Sequence, residues 1–201
     1  MSRYVLLVVG LFYVLSACAQ PWRELGPCGS EKYGNHVASQ GGTGQVHCFA
    51  FDPDNANIIY CGSPFGGLWK STTGGKSWSA NEIDVDQKLD LSSVDDIAIT
   101  KNGSKKIIWI TTGHPGARKG TTGAFEAYSC GIYVSENDGK IFSPVETFNK
   151  KFHFALRDGK HITRIVPHPV NPNFLFVATS DGLYRTVDGG KKWQLVLTEE
   201  E

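Results

Sequence analysis

Three copies of one pattern run through the chain, and this repetition constrains its fold more than any other feature of the sequence. The first copy is VHCFAF at 46–51, the polar turn DPDNAN at 52–57, IIYCGS at 58–63 and GLWKS at 67–71, ending on Trp78. The second is DIAIT at 96–100, IIWITT at 107–112 and GIYVS at 131–135, ending on Phe142. The third is ITRIV at 162–166, PHPVNP at 167–172, FLFVA at 174–178 and GLYRT at 182–186, ending on Trp193. β-Branched and aromatic residues fill the short runs, and Pro, Asn, Asp and Gly punctuate them, so each copy reads as four strands, A to D, joined by turns. Beyond the N-terminal stretch no segment carries a 3.6-residue period. Four short strands per roughly 40–50 residues is the size of a propeller blade. The pattern predicts an all-β chain, a partial β-propeller of about three four-stranded blades.

The turn from strand C to strand D is the most specific element. Its versions are Ser71-x-Thr73-x-Gly75 closing on Trp78, Ser135-x-Asn137-x-Gly139 closing on Phe142, and Thr186-x-Asp188-x-Gly190 closing on Trp193. Short oxygen-bearing side chains accept hydrogen bonds from turn amides, Gly takes the positive-φ position, and the ring covers the hairpin. The pattern resembles the Asp-box, or BNR repeat, of sialidases, sortilin-type receptors and xyloglucanase-like propellers, over about residues 45 to 197. The string Trp22 to Pro27 together with 66–71 is most similar to secreted and cell-surface bacterial propellers of this kind. The third copy matches in full, whereas Asn137 and Thr73 replace the acid in the other two. The resemblance implies that these turns mark the fold and not the chemistry.

Lys plus Arg number 20, Asp plus Glu number 20, and the formal net charge is zero. A nucleic-acid module working through a strongly basic surface is thereby excluded. Hydrophobic residues at 40% supply a core, and the 23 glycines favour strands and tight turns. Residues 4–15 are apolar behind Arg3, too short to span a bilayer and fitting a signal-peptide core. Two exits end it: a lipobox-like Leu-Ser-Ala-Cys that would lipidate Cys18, and Ala17-Cys18-Ala19, which ordinary signal peptidase would cut. The expected organisation is a signal peptide at 1–19, an N-terminal segment with a candidate closing strand at 20–45, blade 1 and its connection at 46–94, blade 2 with a long B–C insertion at 95–160, and blade 3 at 161–201. The protein is expected to be exported, as a lipoprotein or fully secreted, with a membrane contact only through a lipid anchor. Cys28, Cys48, Cys61 and Cys130 make no metal spacing, so neither a metal nor a cofactor is expected. Pairing Phe51 with Ile58 would set Cys48 opposite Cys61, where two small buried thiols are favoured over a strained bridge. Asn102-Gly103-Ser104 is a glycosylation sequon in a eukaryotic host only.

In a propeller the B–C and D–A connections share the face where ligands usually bind. The long blade-2 B–C connection, 113–130, carries His114, Arg118, Phe125 and Tyr128, which could grip a peptide or a sugar, together with Lys119 and Glu126. One D–A connection carries Asp84, Asp86, Asp90, Asp95 and Asp96, read as a solvated acidic loop because it lacks the Gly and terminal Glu of an EF-hand. The other holds Lys150, Lys151, His153, Arg157, Asp158 and His161, and His168 falls in an exposed A–B turn. A glycosidase needs two carboxylates across the scissile bond. The xyloglucanase resemblance implies a catalytic Asp just before the Gly-Gly of strand C, but 63–67 reads Ser-Pro-Phe-Gly-Gly. The sialidase resemblance implies an arginine triad, whereas Arg23, Arg118, Arg157, Arg164 and Arg185 are scattered. Asp181 is the best remaining acid on that face and Glu126 its candidate partner, although Asp181-Gly182 is more simply a turn. The leading expectation is a non-catalytic secreted or cell-envelope propeller segment that binds protein or glycan on its B–C/D–A face. The alternative is the N-terminal part of a glycoside hydrolase, xyloglucanase- or sialidase-like, with catalytic acids elsewhere in a longer chain. Propellers close with four to eight blades, so the remaining blades of a longer parent are an expected partner.

Overall fold

The computed structural model describes residues 45–64, 66–80, 93–113, 131–152 and 160–198. They form three four-stranded antiparallel sheets, one per sequence copy. Blade 1 is β1 (Cys48–Phe51), β2 (Ile59–Ser63), β3 (Gly67–Ser71) and β4 (Ser79–Ala80). Blade 2 is β5 (Asp96–Asn102), β6 (Lys105–Thr111), β7 (Ile132–Ser135) and β8 (Ser143–Pro144). Blade 3 is β9 (Ile162–Pro167), β10 (Leu175–Thr179), β11 (Gly182–Thr186) and β12 (Gln194–Leu197). The strand D of blade 2 stops after two residues at Pro144, which has no N–H to continue a ladder. The architecture is a partial β-propeller.

The registers superpose from blade to blade. Ser71, Ser135 and Thr186 pair with Ile59, Ile108 and Leu175, so Tyr60, Trp109 and Phe176 hold one equivalent place on strand B. Side chains alternate across a strand, and both faces of blade 2 are covered. Ile97, Ile108, Ile110, Tyr133 and Phe142 pack with Cys48, Tyr60 and Leu68 of blade 1. Ala98, Trp109 and Ile132 pack with Ile162, Ile165, Leu175, Val177, Tyr184 and Trp193 of blade 3. Among the described residues the buried apolar side chains form two layers, each between successive blades.

The three C–D turns share one geometry despite their different side chains. Ser71 Oγ, Ser135 Oγ and Thr186 Oγ1 accept the N–H of Gly75, Gly139 and Gly190 at 2.9, 3.0 and 3.0 Å. Thr73 Oγ1, Asn137 Oδ1 and Asp188 Oδ1 each accept the N–H four residues on, all at 2.9 Å. Trp78 and Trp193 donate their indole N–H back to Gly75 and Gly190. Asp138 adopts φ 59° where the other turns have Gly74 and Gly189. An Asp tolerates that left-handed position, and its carboxylate meets Lys106 Nζ at 3.0 Å. The N–H of Lys192 above all, with the Thr186 hydroxyl, holds the Asp188 carboxyl below its usual value. A carboxyl depressed in the folded state stabilises it above the unfolded pKa, and that contribution is lost as pH falls through the folded value. Because Asn137 makes the same bonds uncharged, Asp188→Asn is expected to lower the thermal midpoint at neutral pH far less than Asp188→Ala, while removing that site's acid sensitivity. Thermal melts of both variants across pH check this, and equal losses at neutral pH would contradict it.

The A–B turns of blades 1 and 3 also converge on one solution. Asp52 Oδ1 accepts the N–H of Asp54 and Asn55 at 2.8 and 3.1 Å, and exposed His168 uses Nδ1 for Val170 and Asn171, both at 3.1 Å. Two sequence expectations are corrected. Phe51 pairs with Ile59, not Ile58, so Cys48 lies across from Gly62 and Cys61 across from Phe49, on opposite faces of the sheet. Both thiols are free and buried, and burial pushes each up to about 12. In addition, α1 (Glu146–Asn149) forms one helical turn in the D–A connection of blade 2, where the sequence shows no helical period. Its buried Asn149 accepts from Ile132 N and donates to Ile132 O, both at 2.9 Å, closing the start of β7. Gly131 is indispensable there, because φ is 95° and a Cβ would lie 2.1 Å from Asn149 Oδ1.

Candidate functional site

Strands A begin, strands B end and strands C begin at one end of the blades, and the candidate residues within the described chain cluster there. Asp95 immediately precedes β5 and Asp96 opens it, and both are buried, at 7% and 6% exposure, which corrects their reading as part of a solvated acidic loop. Successive residues point to opposite faces, so each carboxylate joins a different neighbour. Asp95 Oδ1 meets His47 Nδ1 at 2.9 Å, toward blade 1. Asp96 Oδ2 accepts the N–H of Ile165 at 2.8 Å and lies 3.7 Å from Arg164 Nε, toward blade 3. Burial raises the Asp96 carboxyl, and the Ile165 N–H and Arg164 only partly oppose it. Sequence reasoning missed these two inter-blade links because the charges looked like a solvated run; their position at the first residues of a predicted inner strand was the available signal.

Asp181 sits in the B–C turn of blade 3 and is held by three donors. Lys160 Nζ lies at 2.8 Å, Thr179 Oγ1 at 2.6 Å and Tyr184 OH at 3.2 Å. Burial alone would raise its pKa, but the Lys160 ammonium and the two hydroxyls outweigh burial and hold the carboxyl below its usual range. Burial and the Asp181 charge push the Tyr184 phenol up to about 12. Asp181 is thus an ionised carboxylate at neutral pH. A lowered carboxyl suits a general base or nucleophile, whereas a general acid must carry a proton to give. Pro64 is buried in the segment before Gly66-Gly67, where the xyloglucanase resemblance implies an acid.

At the same end, Ser93 Oγ and Thr111 Oγ1 are buried without a hydrogen-bond partner. His161 donates its backbone N–H to Ser180 Oγ at 3.3 Å, while Lys151 reaches away to the Trp193 carbonyl at 2.9 Å and Lys150 pairs with Glu146. His114, Arg118, Phe125, Glu126 and Tyr128 lie outside the described residues, as do Cys18, Asp84, Asp86, Asp90, His153, Arg157 and Asp158. Among the described residues no group of three or more His, Cys, Asp or Glu converges on a metal position. None of their helices is long and apolar enough to cross a membrane. A separate groove of about 260 Å³ runs between blades 2 and 3 beside the Gly190 turn, lined by Ile107, Trp109, Val134 and Val145 and rimmed by Glu146 and Lys191.

No family model matches the chain. Over 111 residues, 52% of this chain, it is 30% identical to a xyloglucanase of Hypocrea jecorina (strain QM6a), and that stretch is 13% of the xyloglucanase. Among solved structures, an ancestral GH74 enzyme aligns with a TM-score of 0.53 and 22% identity, over 88% of this chain and 19% of that one. An auxiliary nutrient binding protein from Bacteroides thetaiotaomicron aligns with a TM-score of 0.50 and 15% identity, over 79% of this chain and 31% of that one. The chain therefore spans less than a third of the length of each of these relatives. The solved structures share its blade fold, and the curated relative is a glycoside hydrolase.

Proposed function

We propose that this chain is a segment of an exported propeller that binds carbohydrate of the xyloglucan class on its B–C/D–A face without cleaving it. The observation that carries this reading is the engagement of Asp181: the best acid on that face is tied to Lys160, Thr179 and Tyr184, not free to donate a proton across a glycosidic bond. The segment 63–67, which has no acid, removes the other expected carboxylate. The 30% identity to a xyloglucanase favours a glycan over a peptide as the ligand. On this reading His114, Arg118, Phe125 and Tyr128 supply the contacts, aromatic faces stacking on sugar rings and polar groups fixing their orientation. Affinity electrophoresis through gels containing xyloglucan tests it. The chain is expected to be retarded in xyloglucan gels and less so after Phe125→Ala with Tyr128→Ala, whereas unchanged mobility in xyloglucan would refute the assignment. The same identity favours one second reading, a glycoside hydrolase in which Asp181 or Glu126 works with carboxylates supplied by further blades.

A further inference from the structure

We propose that Asn102 is a site of spontaneous covalent modification, at which the Gly103 amide displaces the side-chain nitrogen and leaves aspartate and isoaspartate at the tip of the β5–β6 hairpin. The argument begins with the turn. Asn102 pairs with Lys105, so Gly103 and Ser104 alone form the loop, and Gly103 takes φ 62°. Glycine at the first place of a two-residue loop, with positive φ, is the type II′ hairpin solution. Residues 101–105 are all exposed. Among the described residues no hydrogen bond engages the Asn102 side-chain amide or the Gly103 N–H, and nothing lies within 4 Å of the place a Gly103 Cβ would take. Asn102 is also the only asparagine of the chain followed by glycine. Elsewhere the groups that would react are engaged. Ile58 N and Phe174 N, which follow Asn57 and Asn173, donate to the carbonyls of Asn55 and Asn171. Asn137 Oδ1 accepts from Ser135 and Ile141, and buried Asn149 is tied to Ile132 on both sides.

The chemistry needs only water. The deprotonated Gly103 nitrogen bonds to Asn102 Cγ, the Cγ–Nδ2 bond breaks, and ammonia leaves with the proton, closing a cyclic imide. Water then opens either carbonyl of the ring, and nothing is oxidised or reduced. One opening gives aspartate with the main chain unchanged. The other gives isoaspartate, whose main chain runs through Cγ and is longer by one carbon. That carbon falls at the Asn102–Lys105 pair, next to the pair of Lys101 with Lys106. Lys101 meets Asp54 of blade 1, and Lys106 meets Asp52 and Asp138. Isoaspartate at the hairpin tip therefore disturbs the strand ends that carry the charged link between blades 1 and 2.

Peptide mapping by mass spectrometry tests this, on the full chain held at mildly alkaline pH beside a free peptide of residues 98–107. The Asn102 segment is expected to gain the mass of an amide-to-acid conversion, and to accept methyl groups from an isoaspartyl methyltransferase, ahead of every other asparagine. An exposed hairpin tip opens at little cost, so the folded chain is expected to convert within about tenfold of the rate of the free peptide. In Asn102→Gln the corresponding ring is larger and closes far more slowly. This variant should stay unmodified and keep its thermal midpoint, while the wild-type midpoint falls as isoaspartate accumulates. Asn102 intact in the folded chain while the free peptide converts would overturn the proposal, because the turn would then hold the two groups apart. Earlier conversion at another asparagine would overturn it as well. Conversion at Asn102 with no change in the thermal midpoint would overturn the effect on the link between blades.

Discussion

Truncation of Phe148 to alanine is expected to cost about 4 kcal/mol of stability, in the range for emptying a fully buried aromatic site. Phe148 belongs to the one-turn helix after strand D of blade 2 and is completely buried. It meets Trp193 edge-on at 5.0 Å, Tyr184 edge-on at 5.2 Å and Phe152 at 5.3 Å, so a connection of blade 2 inserts its ring into the face of blade 3. Phe148→Leu should recover part of the loss, since it refills volume without the edge-to-face contacts. Urea unfolding of both variants measures this, and a loss below about 1 kcal/mol for the alanine variant would mean that the aromatic cluster does not couple the blades.

The second large effect is expected at the charged link between blades 1 and 2. Lys106 Nζ reaches Asp52 Oδ2 at 2.6 Å and Asp138 Oδ1 at 3.0 Å. The Asp52 side chain is only 2% exposed. Lys106→Met strands a buried carboxylate and should cost about 3 kcal/mol. Asp52→Asn combined with Lys106→Met should cost less than Lys106→Met alone, because the amide oxygen still accepts the turn N–H groups and no charge is left buried. The pH dependence carries the same signature. Burial raises the Asp52 carboxyl, but the Lys106 ammonium and the Asp54 and Asn55 N–H groups outweigh it, leaving the group below its usual value. The Lys106 ammonium is pushed upward, chiefly by its bonds to Asp52 and Asp138. A depressed carboxyl stabilises above its unfolded pKa near 4 and loses this as pH falls through the folded value. A raised ammonium stabilises below its unfolded pKa near 10.4 and loses this as pH rises through the folded value. The link should therefore stabilise most between those limits, and the double variant should show a flatter stability profile toward acid. A wild-type profile equally flat would argue that the pair is not coupled to folding.

The blade fold was legible in the sequence because two signals agreed at each copy: β-branched alternation for the strands and oxygen-plus-glycine chemistry for the turns. The C–D turns were legible for a further reason. Their bonds need an acceptor at the third position and not a charge, so Thr73 and Asn137 serve as well as Asp188. The A–B register was off by one residue because it depends on how many residues the turn at Asp52 absorbs, which composition does not specify. The four residues of α1 are too few to show a helical period. Asp95 and Asp96 looked solvated because charge was read as exposure, whereas their alternation sends one carboxylate to His47 and the other to Ile165 and Arg164. The inter-blade role of Lys106 was equally invisible, since its partners lie 54 and 32 positions away in the chain.

Binding without cleavage is the central functional claim, and titration calorimetry of a xyloglucan oligosaccharide into the chain addresses both halves at once. A saturating series of injection heats, each returning to baseline, is the predicted result. A trace with no binding heat, or a sustained heat flow from hydrolysis that disappears in Asp181→Asn, would contradict it.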